Sequence, residues 1–195
     1  MDYKNYLNLD KILNAQTPVS QEPSELMFIV AHQSSELWFK VLIQELNCLI
    51  DTPEVKWEHI KSSSANHAVY NPTVQLQRVV KIFEHLNTLW DVIATMSVEE
   101  YERFRSKLGT ASGKQSEQYI KVETLLKKLP SKWNPIYEHF LSDIENAFKK
   151  WQFSHMKAVE RIIGDKKGTG GTSGVSYLKH AIDKPLYTDY KWKGW

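Results

Sequence analysis

Residues 24–50 read "SELMFIVAHQSSELWFKVLIQELNCLI". Apolar residues recur there every three or four positions, the period of a helix with one buried face. Phe28, His32, Ser35 and Phe39 follow at spacings of four, three and four, so they share a face of that helix. The only cysteine, Cys48, lies in the same run and reads as a small core residue.

The helical period continues downstream. Asn71 can cap "NPTVQLQRVVKIFEHLNTLWDVIATM", with Pro72 in the first turn, where its missing N–H is harmless. In "SVEE", Ser97 and Glu100 form a capping box that opens a short helix stopping near Gly109. Tyr101 and Arg105 are one turn apart on it and point the same way. "KQSEQYIKVETLLKKL" resumes a helix that "PSKWNP" ends, and Asn134 and Pro135 open the last long helix, running toward Gly164. "GVSYLKHAI" is a further short helix. No period-two stretch of useful length and no internal repeat occurs, so the sequence predicts an all-α, single-domain helical bundle over residues 1–195.

Composition narrows the function. With 25 basic and 23 acidic residues the chain carries a net charge of +2, which gives no reason to expect nucleic acid or a membrane surface as partner. One cysteine excludes a disulfide framework and a Cys-based zinc site within a chain. The C-x-x-C-H signature of covalently attached haem is absent. The start, "MDYKNYLNLDKIL", is polar and acidic rather than a secretory leader, and no apolar run reaches membrane-spanning length, so a cytoplasmic protein is expected.

Two features could carry chemistry. Five of the eight glycines fall between Gly164 and Gly174, in "GDKKGTGGTSG". A phosphate-binding reading fails: no G-x-x-x-x-G-K-[ST] is present, and the loop follows a helix rather than a strand. A helix stop with a linker and a mobile lid with hydroxyls at Thr169, Thr172 and Ser173 both remain open. The seven histidines are His32, His59, His67, His85, His139, His155 and His180, and none forms an H-x-x-x-H pair. A single inward histidine can ligate a non-covalent haem, although most histidines are merely hydrogen-bonded core or surface residues.

The segments "YLNLDKILNAQTPVS", "MFIVAHQSSELWFKVLIQEL", "YERFRSKLGTASGKQS" and "WQFSHMKAVERIIGDKKGTGGTSGVSYL" together resemble the four signature blocks of the tryptophan 2,3-dioxygenases, in the family's order. These are haem enzymes within a wider superfamily of histidine-ligated, haem-dependent aromatic oxygenases. The resemblance implies a non-covalent haem b with His155 as the proximal ligand of its iron. It makes His32 the distal histidine that contacts the substrate indole N–H, and Phe28 a wall of the indole pocket. Arg105 would pair with the substrate carboxylate, with Tyr101 beside it, and Ser112 would sit on the distal side near bound oxygen. Thr169 would hold the substrate's ammonium and carboxylate as the loop closes. Tyr3 and Tyr6, with Leu7 adjacent, would reach a neighbouring subunit's site in a homotetramer.

The implied reaction adds O2 across the indole C2–C3 bond of L-tryptophan or a close derivative to give N-formylkynurenine, as in tryptophan catabolism by the kynurenine pathway. Superfamily members that insert one oxygen into tryptophan, a derivative or tyrosine form one alternative. A non-catalytic haem sensor forms another. Two departures bear on the choice. Lys114, in "SGKQS", stands where the family usually has an aromatic, and must alter local polarity or reach a haem propionate or solvent. The chain is also short, because only "LLKKLPSKWNPIYEHFLSDIENAFKK" separates the third and fourth blocks, where the family has a long helical insertion.

Overall fold

Glu25 sets the start of the longest helix. Its carboxylate is buried and accepts the backbone N–H groups of Val19 (2.7 Å) and Ser20 (2.8 Å), fastening the incoming chain against the first turn. In the computed structural model, which describes residues 1–51, 71–129, 138–164, 166–169, 171 and 174–187, that helix is α3, Pro23–Asp51. It follows two five-residue helices, α1 (Tyr3–Leu7) and α2 (Leu9–Leu13), and precedes α4, Pro72–Ile93. Then come α5 (Val98–Arg105), α6 (Glu117–Lys128), α7 (Glu138–Ile163) and α8 (Val175–Asp183). Single 3₁₀ turns occupy Ser106–Leu108 and Gly113–Gln115. No strand occurs among the described residues, in agreement with the all-α expectation.

The caps read from sequence are present. Asn71 accepts the Thr73 N–H at 3.1 Å with Pro72 in the first turn of α4, and Ser97 and Glu100 form both halves of the capping box on α5. Asn134, Pro135, His59, His67, Thr172 and Ser173 lie outside the described residues. The sequence reading had no helix before residue 24; α1 and α2 are held by local bonds, chiefly Asp2 accepting the Asn5 N–H at 2.8 Å.

α4 packs along α7, and α3 packs on both α4 and α6. Their inward stripes supply fully buried Leu42, Leu46, Leu76, Phe83, Leu126 and Phe148, and this desolvated apolar surface is the main stabilising term. α5 is then pinned to the start of α3 by polar contacts. Ser24 donates to Glu100 at 2.7 Å and Arg103 pairs with Glu22 at 2.8 Å. This pinning brings Tyr101 over Phe28, with ring centroids 5.9 Å apart. Because Ser97 anchors the capping box, Ser97→Ala is expected to lower unfolding stability by about 1 kcal/mol in a urea titration. An unchanged midpoint would mean that the box contributes nothing.

α7 stops at Gly164, whose φ of +57° suits glycine and whose N–H returns to the Glu160 carbonyl at 2.9 Å. The chain re-enters helix after Gly174, which is buried at φ +58°; a Cβ there would lie 2.9 Å from the Lys166 carbonyl oxygen. Two of the loop's glycines are therefore required by geometry: one to end a helix, the other to let two backbone segments touch. No helix among the described residues is long and apolar enough to cross a membrane.

Candidate active site

α3 and α7 place His32 and His155 on the wall of one cavity of about 850 Å³. Its inner part is aromatic, with Phe39, Trp90, Tyr119, Phe148 and Trp151. His155 is enclosed by protein, and the surface it retains faces this cavity. Its ring stacks on Trp90 at 4.4 Å between centroids and 22° between planes, with Trp151 further off at 6.2 Å. Trp90 also meets His32 edge-on at 6.3 Å. One indole thus orients both imidazoles.

Both histidines are neutral at ordinary pH. Burial, reinforced by the nearby His32, pushes His155 down to about 4. Burial also lowers His32, against a hydrogen bond to Phe28 and the Glu36 charge, which pull the other way. His32 Nδ1 lies 2.7 Å from the Phe28 carbonyl oxygen. A carbonyl can only accept, so Nδ1 carries the proton and Nε2 presents a lone pair. Among the described residues the ring nitrogens of His155 make no hydrogen bond, so a lone pair is available there as well.

These residues suit a haem. The cavity is the size and character of a cofactor site and offers one neutral imidazole as axial ligand. Among the described residues no group of three His, Cys, Asp or Glu could cage a bare ion, so a metal here would need ligands of its own, as a porphyrin provides. Buried polar atoms on the wall also lack partners, namely the Trp90 and Trp151 indole nitrogens, Gln152 Oε1 and the Tyr187 hydroxyl. Such orphans mark a space built to hold something.

The other candidates form an adjoining patch outside the cavity wall, joined to it through His32. Phe28 touches His32 (4.3 Å), Tyr101 (5.9 Å) and Phe104 (5.6 Å). Burial raises the Tyr101 phenol, with the Arg105 charge opposing. The Arg105 guanidinium pairs with Glu102 at 3.3 Å and donates to the Lys167 carbonyl. Lys166 reaches Glu102 at 2.9 Å, and the Thr169 hydroxyl donates to the Ala111 carbonyl at 2.6 Å. The described part of the glycine loop is therefore seated on α5 and the segment after it. Ser112 serves as the cap of the 3₁₀ turn that follows it. Tyr3, Tyr6 and Leu7 stand apart on α1, with both tyrosines more than two-thirds exposed. The sequence reading missed Trp90, Trp151 and Tyr177. Trp151 lies one turn before His155 and could have been found by that spacing; Trp90 and Tyr177 carry no local signal.

A profile of the tryptophan 2,3-dioxygenase family matches residues 1–140 and 132–190. A tryptophan 2,3-dioxygenase of Bradyrhizobium diazoefficiens is 33% identical to the chain over 267 aligned positions, covering 97% of the chain and 90% of the relative. Those of Pseudomonas aeruginosa and Bordetella pertussis are 32% and 31% identical, covering 97% and 99% of the chain and 87% and 89% of the relatives. The first alignment is 267 positions long and the chain has 195 residues, so at least 72 positions of that relative face no residue here. The two matched pieces meet at 132–140, between the third and fourth blocks, where the sequence reading put the shortening.

Proposed function

The chain belongs to the tryptophan 2,3-dioxygenase family, and on that premise we propose that it is a haem-dependent dioxygenase that opens the indole ring of L-tryptophan or a close derivative. The carrying observation is that two neutral histidines from different helices line one aromatic cavity. Non-covalent haem b, when bound, supplies the activation of O2 for addition across the indole C2–C3 bond, with N-formylkynurenine as product.

In this reading His155 would hold the haem iron through its free lone pair, and the stacked Trp90 keeps the ring in orientation. His32 Nε2 accepts the indole N–H while Nδ1 stays tied to the Phe28 carbonyl, so the substrate is oriented by a tautomer fixed in advance. Phe28 packs on the indole, and Tyr101 lies behind it. Arg105 takes the substrate carboxylate and Thr169 its amino-acid end, each giving up a carbonyl partner for the ligand. Ser112 would lie on the substrate side of the cofactor, and the Lys166–Glu102 pair, which is not given up, would keep the loop in place to exclude water.

The exposed Tyr3 and Tyr6, with Leu7, complete a neighbouring copy's site in a homotetramer. Support comes from exposed apolar residues on α3, Leu26, Val30, Leu37 and Val41, which a partner copy would cover. Residues 1–195 act as one haem-binding domain in the cytoplasm, within the kynurenine route of tryptophan catabolism.

The test is product mass. Haem-loaded protein given tryptophan, ascorbate and O2 is expected to yield a product that has gained two oxygen atoms. Gain of one oxygen would replace this reading with a hydroxylase, and intact aromatic amino acids beside bound haem would leave a haem-binding module.

A further inference from the structure

The cavity has two chemically different ends. The aromatic residues Phe39, Trp90, Phe148 and Trp151 are buried, whereas of the four lining lysines Lys114, Lys127 and Lys184 are exposed, at the rim, and Lys149 is half-buried. Two of these ammonium groups are already engaged. Lys127 pairs with Glu123 at 2.5 Å, and Lys149 donates to the Ile182 carbonyl at 2.8 Å and also to that of Lys184. The ammonium groups of Lys114 and Lys184 meet no carboxylate among the described residues.

Lys149 spends its donors on carbonyls, whereas Lys114, among the described residues, is held in place with neither a carboxylate nor a carbonyl on its ammonium. It sits in the tight 3₁₀ turn Gly113–Gln115, which Ser112 caps. Its Nζ lies 3.4 Å from the centroid of the Tyr177 ring on α8. A ring face attracts and orients an ammonium but supplies no full negative charge. The result is a positioned, unpaired cation at the edge of a cavity with a buried aromatic lining. A planar molecule with an apolar body and carboxylates along one edge fits that division.

We propose that Lys114 is a carboxylate anchor of the cofactor site, pairing with a haem propionate at the cavity rim and leaving the Tyr177 ring to do so. This rests on the haem reading above. The amino-acid substrate also carries a carboxylate, but Arg105, the cation suited to it, lies in the adjoining patch outside the cavity wall, so the propionate is the carboxylate that reaches Lys114.

The experiment measures haem dissociation to excess apomyoglobin from wild type, Lys114→Met and Lys114→Arg, using haem and haem dimethyl ester, whose propionates are uncharged. Lys114→Met is expected to release haem about fivefold faster, as suits a half-exposed ion pair. Lys114→Arg should restore slow release, and the difference should vanish with the ester. Equal haem release by wild type and Lys114→Met, or a fivefold difference that persists with the ester, overturns the proposal while leaving the haem reading intact. Normal haem release with a weakened tryptophan-induced shift of the haem spectrum also overturns it, by assigning Lys114 to the substrate's carboxylate. Failure of wild type to take up haem overturns the haem reading and the anchor with it.

Discussion

His155→Ala is expected to abolish axial ligation of haem, with bound haem falling to a small fraction of the wild-type content and turnover dropping by at least about 100-fold. Loss of an outer partner of a metal ligand alone typically costs 10–100-fold, and here the ligand itself is removed. The rings packed on it cannot take its place. The rings closest to His155 are those of Trp90 and Trp151, whose indoles donate but do not ligate. The fold should survive, because the imidazole faces a cavity and the aromatic stack it forfeits is worth about 0.5–1.5 kcal/mol.

Three measurements check this. Haem titration should lose the axial-histidine spectrum, and free imidazole added to His155→Ala should restore it by filling the vacated space. The third concerns the haem-free protein. Burial holds the folded His155 down to about 4, below its unfolded value of 6.5. The unfolded chain therefore binds the extra proton first, and stability is lost as pH falls from about 6.5 toward about 4. His155→Ala should flatten that part of the stability profile. Unchanged haem content and absorption in His155→Ala would remove the residue as ligand.

The physics of legibility differs from residue to residue at this site. Phe28, His32, Ser35 and Phe39 were legible as one face because a helix converts spacing directly into direction, and His32, Ser35 and Phe39 do line the cavity while Phe28 backs His32. Ser97 with Glu100, and Gly164 after α7, were legible because caps and stops are settled within one turn. Trp90 against His155 and Lys114 against Tyr177 join positions more than sixty residues apart, and no local pattern encodes such meetings. Sequence flagged Lys114 as chemically out of place, but only the fold seats it at a cavity rim. The grip of Arg105 on the Lys167 carbonyl was unreadable for another reason: every residue has a carbonyl, so the acceptor leaves no mark in sequence. The missed helices α1 and α2 are five residues each, too short for a period to appear, although Asp2 ahead of "YKNYL" was a usable cap signal.

Arg105→Leu is expected to raise the apparent KM for tryptophan about 30–150-fold, because a charge-assisted bond to a carboxylate is worth about 2–3 kcal/mol at a largely sheltered side chain. The side chain is largely sheltered, with 19% of it exposed, and it occupies both Glu102 and the Lys167 carbonyl. The substitution therefore also weakens the seating of the glycine loop, and a raised KM alone would not separate the two roles. Tryptamine separates them, since it keeps the indole and amine but has no carboxylate. If Arg105 is the clamp, Arg105→Leu should raise the KM for tryptophan far more than that for tryptamine. If its work is to hold the loop through Lys167, both substrates should suffer equally. Glu102 sharpens the distinction. Its carboxylate already sits on Arg105 and on Lys166, so an incoming substrate carboxylate competes with it. Glu102→Gln should leave the tryptophan KM unchanged or lower it, whereas a loop that depends on the Lys166 pair should respond with a higher KM for both substrates. Unaltered tryptophan kinetics in Arg105→Leu would remove Arg105 from substrate binding and return it to the ordinary role of a charged residue fastening a loop to the end of a helix.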